Sequence, residues 1–565
     1  MGLISRQKIV NTLITIAGKK RLDKIKKTTC DPERYQLALL QEIIGDNKNT
    51  LFGKDHDFAS MKTYEDYRRN IPIRDYDGFD KYHKLLQKGE SDVLFKGRPH
   101  MYNTSSGTTG KPKLIPISPE FYKQLSKFNK SWMYSIFEKN KNVFIGNSLT
   151  SVGKAIEGYA EDGLPIGSVS GNSFQTIPSI IKKGYSSIYA YFTIDDYNLR
   201  YYAVARNALE HNITISVCPS IANVFRYHQV IMENFDEMVS EIREGRIKTE
   251  ISELFSEEDR AEAMSRIHPN PKRADELVRL KEKYGDKLLP KYYWPNLAAV
   301  NAWVQGNFAL LVDKLKEYFP VTTVFRSFGY QASEGRFGIS LENHWNYSLL
   351  ILDEYFYEFI PFENKDDENP PIKLYHELEL GERYYILITN ISGLYRYDMN
   401  DILEVVGFHN KTPLLKFVQK GAGIVSIMGE KLSEEQVIEA TKTVESENPW
   451  TVNNYLMFGD YSVFKYEYFV EFEETLSKEQ KSDFIGQIDK KLKKLNMEYQ
   501  SKRDSNRLPL PEIIELPHNS HQRIKEELVL RNLAKDGQYK DLYLSSKETT
   551  REILELLRKD SKHSI

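Results

Sequence analysis

Apolar residues fall at helical spacing over much of the first 60 positions. Tyr35, Leu37, Leu39, Leu40, Ile43 and Ile44 mark a helix from Pro32 to Ile44. The run Asn49–Phe58 breaks that spacing, Tyr64–Arg69 resumes it, and Ile71-Pro-Ile-Arg-Asp-Tyr76 leads into another helix ending at Gly89-Glu90. Met1–Ala17 is apolar but carries Arg6 and Lys8, and it lacks a signal-peptide core and cleavage site. Arg6 also stands where an N-myristoylation pattern requires Ser or Thr. An amphipathic first helix packed on the body is expected.

Further along, Ser118-Pro119-Glu120 is a helix start, with an N-cap hydroxyl, proline at N1 and an acid in the first turn; the helix should run to about Lys139. Val143–Thr150 reads as strand and loop, Gly163–Gly171 as loop, Leu199–His211 as helix and Ile213–Cys218 as a buried strand. Met232–Gly285 is charged and helix-forming, broken at Pro269 and Pro271, and reads as a solvated helical insertion. Asn307–Phe319 is an amphipathic helix, and Val321–Phe325 a β-branched strand. From Tyr347 the pattern turns strongly β: Leu349–Ile360, Tyr384–Thr389 and Ile402–Phe408 are strands. Gln419-Lys-Gly-Ala-Gly423 reads as a hinge. Beyond it, capping boxes at Ser433–Gln436 and Ser477–Gln480 open two helices, the second expected over Lys478–Tyr499. Phe464–Phe472 is the strand between them, and Ile524–Ala534 a last helix. The expected fold is α/β: a large N-terminal domain (1–420) of β-sheets flanked by helices plus a β-barrel-like part, then a smaller, mobile α+β domain (421–565).

Length supports that division, because 565 residues exceed what one core normally holds. The 36 tyrosines and 28 phenylalanines suffice for core and pocket alike. A net charge of −2, with lysines and acids interspersed, lacks the basic face of a nucleic-acid binder. No run is long enough for a transmembrane helix. Two cysteines, Cys30 and Cys218, argue against a disulfide framework, so a reducing, cytoplasmic setting is expected, and a monomer.

The most chemically ordered stretch is Asn103-Thr-Ser-Ser-Gly-Thr-Thr-Gly-Lys-Pro-Lys113, between the extended pieces His100–Tyr102 and Leu114–Ile117. Ser105, Ser106, Thr108 and Thr109 offer hydroxyl donors, Gly107 and Gly110 let backbone N–H groups turn toward an anion, and Lys113 supplies charge. This is a phosphate cradle, but not a Walker P-loop: two residues rather than four separate the glycines, and Pro112 follows Lys111. Two other segments carry candidate chemistry. The loop after Phe325 holds Tyr330, Ser333 and Glu334, and Glu334 beside a phosphate cradle suits Mg²⁺, which takes one or two carboxylates plus phosphate oxygens. Taken alone, Glu334 is an ordinary loop glutamate. Asp401 ends an expected turn between strands, where it could accept the ribose hydroxyls of a nucleotide or simply cap the turn.

Ser105–Lys113, Tyr330-Gln-Ala-Ser-Glu334 and Tyr397-Asp-Met-Asn-Asp401 resemble, in order and spacing, the three nucleotide motifs of adenylate-forming (firefly luciferase-like) enzymes. Phe52-Gly-Lys54, Ile71–Tyr76, Tyr355–Pro361, Gly393–Tyr397 and Val406–Phe408 narrow the resemblance to the Gretchen Hagen acyl acid amido synthetase family, known from auxin-responsive plant genes. It spans essentially the whole chain. It implies a ligase that uses ATP and Mg²⁺ to activate a carboxylic acid as an acyl-adenylate, then conjugates it to an amino acid. On this resemblance Ser105, Ser106, Thr108 and Thr109 hold phosphates, Tyr330 lies by the nucleotide, Glu334 binds Mg²⁺ and Asp401 the ribose. Lys431 and Lys540 match the family's mobile lysines over the α-phosphate, with Lys113 completing the catalytic set. The acyl pocket draws on the helix after Ser118, on Leu149–Ile166 and on the region of Trp303. Two departures stand out: Asp398 and Asn400 replace Arg and Gly of the third motif, and Asp541-Leu542 replace a Pro-Arg pair after Lys540. A left-handed turn is still expected at Asn400. Alternative readings are a ligase using CoA or another acceptor, and a degenerate binding protein.

Overall fold

Four short strands form one sheet of the larger unit. Asn147–Thr150, Ile213–Ser220, Ala299–Trp303 and Val324–Arg326 lie side by side in that order as a parallel sheet, with Thr150 opposite Val217, Val217 opposite Asn301, and Asn301 opposite Arg326. The computed structural model describes residues 3–105, 113–304, 312, 315–343, 347–365, 367–421, 423–530 and 542–561. Compact packing divides these into one unit over Met1–Ser105 and Leu114–Gln419 and a second over Lys420–Ile565, to which Ser106–Lys113 is also assigned. The chain is mixed α/β throughout. Among the described residues no helix is long and apolar enough to cross a membrane.

Helix Pro119–Lys139 forms where the cap chemistry demands it: the Ser118 side chain accepts from the Phe121 N–H and Pro119 occupies the first turn. Its apolar face meets the first helix, Leu3–Thr28, through Phe128, Tyr134 and Phe137 against Ile14, Leu22 and Ile25. Arg21 fixes that first helix to the sheet, donating to Asp353 at 2.7 Å and to Glu354 at 2.8 Å. The same two acids interrupt the expected strand Leu349–Ile360, which forms instead as Ser348–Leu350 and Tyr355–Pro361.

The expected barrel-like part is a seven-stranded sheet. Its strand order is Gly338–Ile339, Ser348–Leu350, Thr412–Lys420, Tyr397–His409, Arg383–Asn390, Tyr355–Pro361 and Lys373–Leu374. One face carries the main core, in which Tyr355, Tyr357, Tyr384, Ile386, Tyr395, Tyr397 and Leu403 pack against Phe52, Phe58, Tyr67 and Phe79 of the N-terminal helices.

Several elements differ from expectation for local reasons. Val143–Phe144 end a 3₁₀ turn, nucleated by the Asn140 side chain accepting from Asn142 N–H, so the strand begins only at Asn147. Within Gly163–Gly171, Pro165–Gly167 pairs in parallel with Met101–Ser105, and Ser168 then caps helix Val169–Gln175. The β-branched run after Pro320 starts in a turn closed by Thr323 N–H to Pro320 C=O, which leaves Val321 fully exposed and the strand confined to Val324–Arg326. Of the expected helix Asn307–Phe319, residues 307–311 and 313–314 lie outside the described residues, and Lys316–Tyr318 is a 3₁₀ turn.

The charged insertion is helical, as Phe235–Glu244, Thr249–Glu253, Glu257–Met264 and Pro271–Tyr284. It contains a buried acid, Glu241, whose carboxylate lies 3.7 Å from Arg206 Nε. Burial pushes the Glu241 carboxyl up to about 7, with Arg206 opposing. Because the folded state holds this proton more tightly than the unfolded chain, whose value is near 4.5, stability from this site is complete below about pH 4.5 and is lost as pH rises through 7. Between those limits the slope should approach ~1.4 kcal/mol per pH unit. Denaturation at pH 5 and pH 7 should show a smaller difference for Glu241→Gln than for the parent.

In the second unit, strands Glu512–Glu515, Lys465–Phe472, Val452–Asp460 and Leu544–Ser545 form a sheet in that order. Capped helices Glu434–Glu447 and Lys478–Leu495 pack on it through Val437, Ala440, Phe484, Ile488 and Leu492. The second helix does not continue to Tyr499. It stops at Leu495 because Asn496 is extended and caps a new helix, Met497–Asp504. The last expected helix is described over Ser520–Leu530; residues 531–534 lie outside the described residues.

Candidate active site

Strand Met101–Ser105 carries the start of the polar loop and strand Lys113–Ile117 its end. Ser106, Gly107, Thr108, Thr109 and Gly110 lie outside the described residues, as does Lys540; Ser105 closes its strand and Lys113 opens the next. The loop's exit is anchored by Tyr76, whose hydroxyl accepts from Leu114 N–H at 2.9 Å and lies 3.3 Å from the Leu114 carbonyl.

Beside the loop's entry stands the hairpin Gln331–Ala332 with Gly335–Arg336. Its approach depends on Gly329, at φ +105, where a Cβ would sit 2.2 Å from the Gly338 carbonyl oxygen. The hairpin is tied to the loop strand twice: Asn103 Nδ2 donates to the Ser333 carbonyl at 3.3 Å, and Ser333 Oγ to the Thr104 carbonyl at 3.4 Å. Ser333 therefore stands against Asn103-Thr104, with Glu334 next to it in the chain, although 230 residues separate Asn103 from Ser333.

Asp401 joins them from the seven-stranded sheet. It does not end a turn between strands: Tyr397–His409 is one continuous strand, with a register shift opposite Tyr385–Leu387. Asn400 takes the left-handed conformation, φ +50, and its N–H donates to Asp398 Oδ1 at 2.8 Å. The two residues that depart from the family motif thus make the turn between themselves, and Lys365 neutralises Asp398 in an ion pair. The kink turns Asp401 into the core side, where Tyr330 OH donates to its carboxylate at 2.5 Å. One residue beyond the hairpin's serine, the arrangement repeats: Tyr397 OH donates to Glu334 Oε1 at 3.2 Å.

Each carboxylate therefore faces a buried phenol. Burial raises both Tyr330 and Tyr397 well above the ordinary tyrosine value, and the neighbouring Asp401 and Glu334 add to the rise. Both remain donors at any working pH, and each carboxylate presents its remaining lone pairs elsewhere. Among the described residues no group of three or more His, Cys, Asp or Glu could hold a metal ion. A divalent cation here would rest on one or two protein carboxylates and complete its shell with phosphate oxygens and water, the Mg²⁺ mode. Glu334, half-buried and accepting one hydrogen bond, fits it.

Supporting residues were less visible in the sequence. Asn390 accepts from Ser392 N–H and Leu394 N–H, at 2.9 and 3.1 Å, and donates to the Glu334 carbonyl at 3.5 Å. It holds a turn that needs Gly393, since a Cβ there would meet Leu94 Cβ at 2.5 Å. Arg396, at φ +47, pairs with Glu358, both carboxylate oxygens lying 3.0 Å from its Nε, and donates to the Ile71 carbonyl at 2.7 Å. Half-buried aromatics gather around the sheet's carboxyl ends: Trp132 packs on Phe328 at 5.3 Å and Trp303 on Phe417 at 5.4 Å. In the second unit, Lys431 sits at φ +50 at the end of the loop joining Ile424–Val425 to Leu432–Ser433.

Three family models match the chain in order. The GH3 family N-terminal domain covers residues 21–324, the central domain 348–420 and the C-terminal domain 434–549. An indole-3-acetic acid-amido synthetase of Arabidopsis thaliana, GH3.17, is 27% identical over 470 residues, 75% of this chain and 74% of that protein. A 4-substituted benzoates-glutamate ligase of the same plant, GH3.12, is 25% identical and covers 80% of each. The solved structure of the GH3.15 acyl acid amido synthetase superposes with a TM-score of 0.63 over 95% of each chain, at 20% identity.

Proposed function

The chain belongs to the GH3 family, and from that premise we infer that it is an ATP-dependent acyl acid amido synthetase, a ligase that forms C–N bonds. The observation that carries the reading is the convergence of Glu334 and Asp401, each facing a buried tyrosine, on the strand that opens the polar loop.

The reaction has two steps. A carboxylate oxygen of the acid attacks the α-phosphorus of ATP, the bond to the pyrophosphate oxygen breaks, and an acyl-adenylate forms. The amine of an amino acid then attacks the acyl carbonyl carbon, the bond to AMP breaks, and the amine's proton leaves to solvent. No protein nucleophile takes part, so the residues act by position and charge. Ser105, Ser106, Thr108 and Thr109, with the backbone of Gly107 and Gly110, cradle the β- and γ-phosphates, and Lys113 adds charge. Asp401 accepts from the ribose hydroxyls while Tyr330 holds the carboxylate's orientation and flanks the nucleotide beside Ser333. Glu334 would hold Mg²⁺, which supplies positive charge shared among the phosphates. Residues 1–420 form the adenylation domain, and 421–565 act as a lid that contributes Lys431 and Lys540 at the α-phosphate. The acyl group occupies the aromatic region around Trp132 and Trp303. Cys30 and Cys218, both unbridged, suit a cytoplasmic enzyme.

Incubating the protein with ATP, Mg²⁺, a panel of aryl and alkyl carboxylic acids and the amino acids, then weighing the products, tests the reading. An N-acyl amino acid with AMP is expected. A thioester formed only when CoA is supplied would replace the amide reading with the CoA-ligase one.

A further inference from the structure

Lysine is a poor choice for the left-handed region, where its Cβ crowds the following carbonyl at roughly 1–2 kcal/mol. Lys431 nevertheless adopts φ +50, two residues after Gly429 at φ +96. Such strain persists only where the surroundings over-determine it, and here they do. Glu430, fully buried, accepts from Ile427 N–H at 2.6 Å and Met428 N–H at 2.7 Å, and the Tyr466 hydroxyl donates to it as well. Lys431 N–H reaches Ser426 Oγ at 3.3 Å.

The remaining restraint comes from 65 residues away. Asn496, 2% exposed, donates through Nδ2 to the Glu430 carbonyl at 3.0 Å, to the Lys431 carbonyl at 3.4 Å and to Gln436 Oε1 at 3.0 Å. Its Oδ1 accepts from Tyr499 N–H at 2.9 Å and so caps helix Met497–Asp504. Gln436 closes the circuit, taking Ser433 N–H at 3.1 Å and donating to the Leu495 carbonyl at 3.1 Å. One amide thus joins the helix break to the carbonyls on both sides of the strained peptide. A cap alone would need only the oxygen, which Asp, Ser or Thr supplies equally well; the amide nitrogen serves the lysine turn.

We propose that Asn496 is a positioning residue for Lys431: it holds the Glu430-Lys431 turn left-handed so that the lysine ammonium is presented in one orientation. The proposal rests on the catalytic assignment of Lys431 above. Misplacing a catalytic group by about 1 Å costs up to about 100-fold in rate, so Asn496→Ala should lower kcat by about 10- to 100-fold in the half-reaction that Lys431→Ala slows, with little change in KM. Asn496→Asp keeps the helix cap, loses the donors, and should show the same kcat loss.

A double-mutant cycle on the full-length enzyme decides the matter, with ATP–pyrophosphate exchange and amide formation assayed separately and the thermal midpoint recorded for every variant. The expected result is that Asn496→Ala lowers kcat in the parent but changes it less than about twofold in the Lys431→Ala background, because one act is removed only once. Equal losses in both backgrounds, tracking the thermal midpoints, would make Asn496 purely structural. Full parental rates in Asn496→Asp would overturn the proposal directly. Should Lys431→Ala leave both half-reactions intact, the lysine assignment fails and the proposal with it, while amide formation by that variant would leave the ligase reading standing.

Discussion

Replacing Glu334 by glutamine is expected to lower acid-dependent ATP–pyrophosphate exchange by about 100- to 1,000-fold, the several kcal/mol that a metal contributes to phosphoryl displacement. The substitution is nearly isosteric. Its amide oxygen still accepts the Tyr397 hydroxyl, which lies 3.2 Å from Oε1, so the hairpin Gln331–Arg336 should keep its place. What changes is charge: a neutral amide is a much weaker partner for a hard, divalent cation than a carboxylate. The signature is therefore a raised requirement for Mg²⁺ together with a lower rate, at an unaltered thermal midpoint. Exchange at the parental rate and the parental Mg²⁺ requirement would remove Glu334 from the site.

The largest effect on stability is expected at Glu358. Its side chain is 1% exposed and that of Arg396 5%, and Tyr64 OH donates to the same carboxylate at 2.9 Å. Truncation to alanine leaves a guanidinium inside the protein, held among the described residues by the Arg68 and Ile71 carbonyls. Losing one partner of a buried pair costs about 3–5 kcal/mol, whereas replacing both by apolar side chains costs far less. Glu358→Ala should thus sharply lower the unfolding midpoint of the larger unit, and Glu358→Leu with Arg396→Met should recover much of the loss. Activity should fall too, since Arg396 lies five residues before Asp401, and its left-handed turn leads the strand into the site. An unchanged midpoint in Glu358→Ala would mean that the pair is solvated.

How legible the site was from sequence follows from the range of the interactions that build it. Helix Pro119–Lys139 and the capping boxes at Ser433 and Ser477 stand where they were expected, because cap, first turn and apolar stripe all lie within a few residues of one another. Tyr330, Glu334 and Asp401 could be singled out by residue type and motif order. Their pairing into Tyr330–Asp401 and Tyr397–Glu334 could not, since it depends on a strand kink at Asn400 and on two tyrosines spaced like ordinary core residues. The long-range bonds of Asn390 and Asn496, and the pairing of Arg396 with Glu358, were invisible for the same reason: each spans dozens of positions, the first two reaching backbone carbonyls that carry no sequence signal. Val321–Thr323 shows the opposite failure. Three β-branched residues signal a strand, yet the turn after Pro320 exposes Val321 and Thr322, as tertiary context overrides a weak propensity.

Asp398 and Asn400 show how the turn before Asp401 is built here. Asn tolerates the left-handed conformation and Asp398 satisfies its N–H, so the kink that aims Asp401 is made without glycine. Lys365 balances the added acid.

The central claim is that a carboxylic acid is activated on the α-phosphate of ATP before an amine takes it. Label transfer tests that claim most directly. With a substrate acid carrying ¹⁸O in both carboxylate oxygens, one turnover with ATP and an amino acid should leave one labelled oxygen in the amide and deliver the other to AMP, read by mass spectrometry. Label in inorganic phosphate alongside ADP, or unlabelled AMP beside a labelled amide, would contradict the acyl-adenylate route.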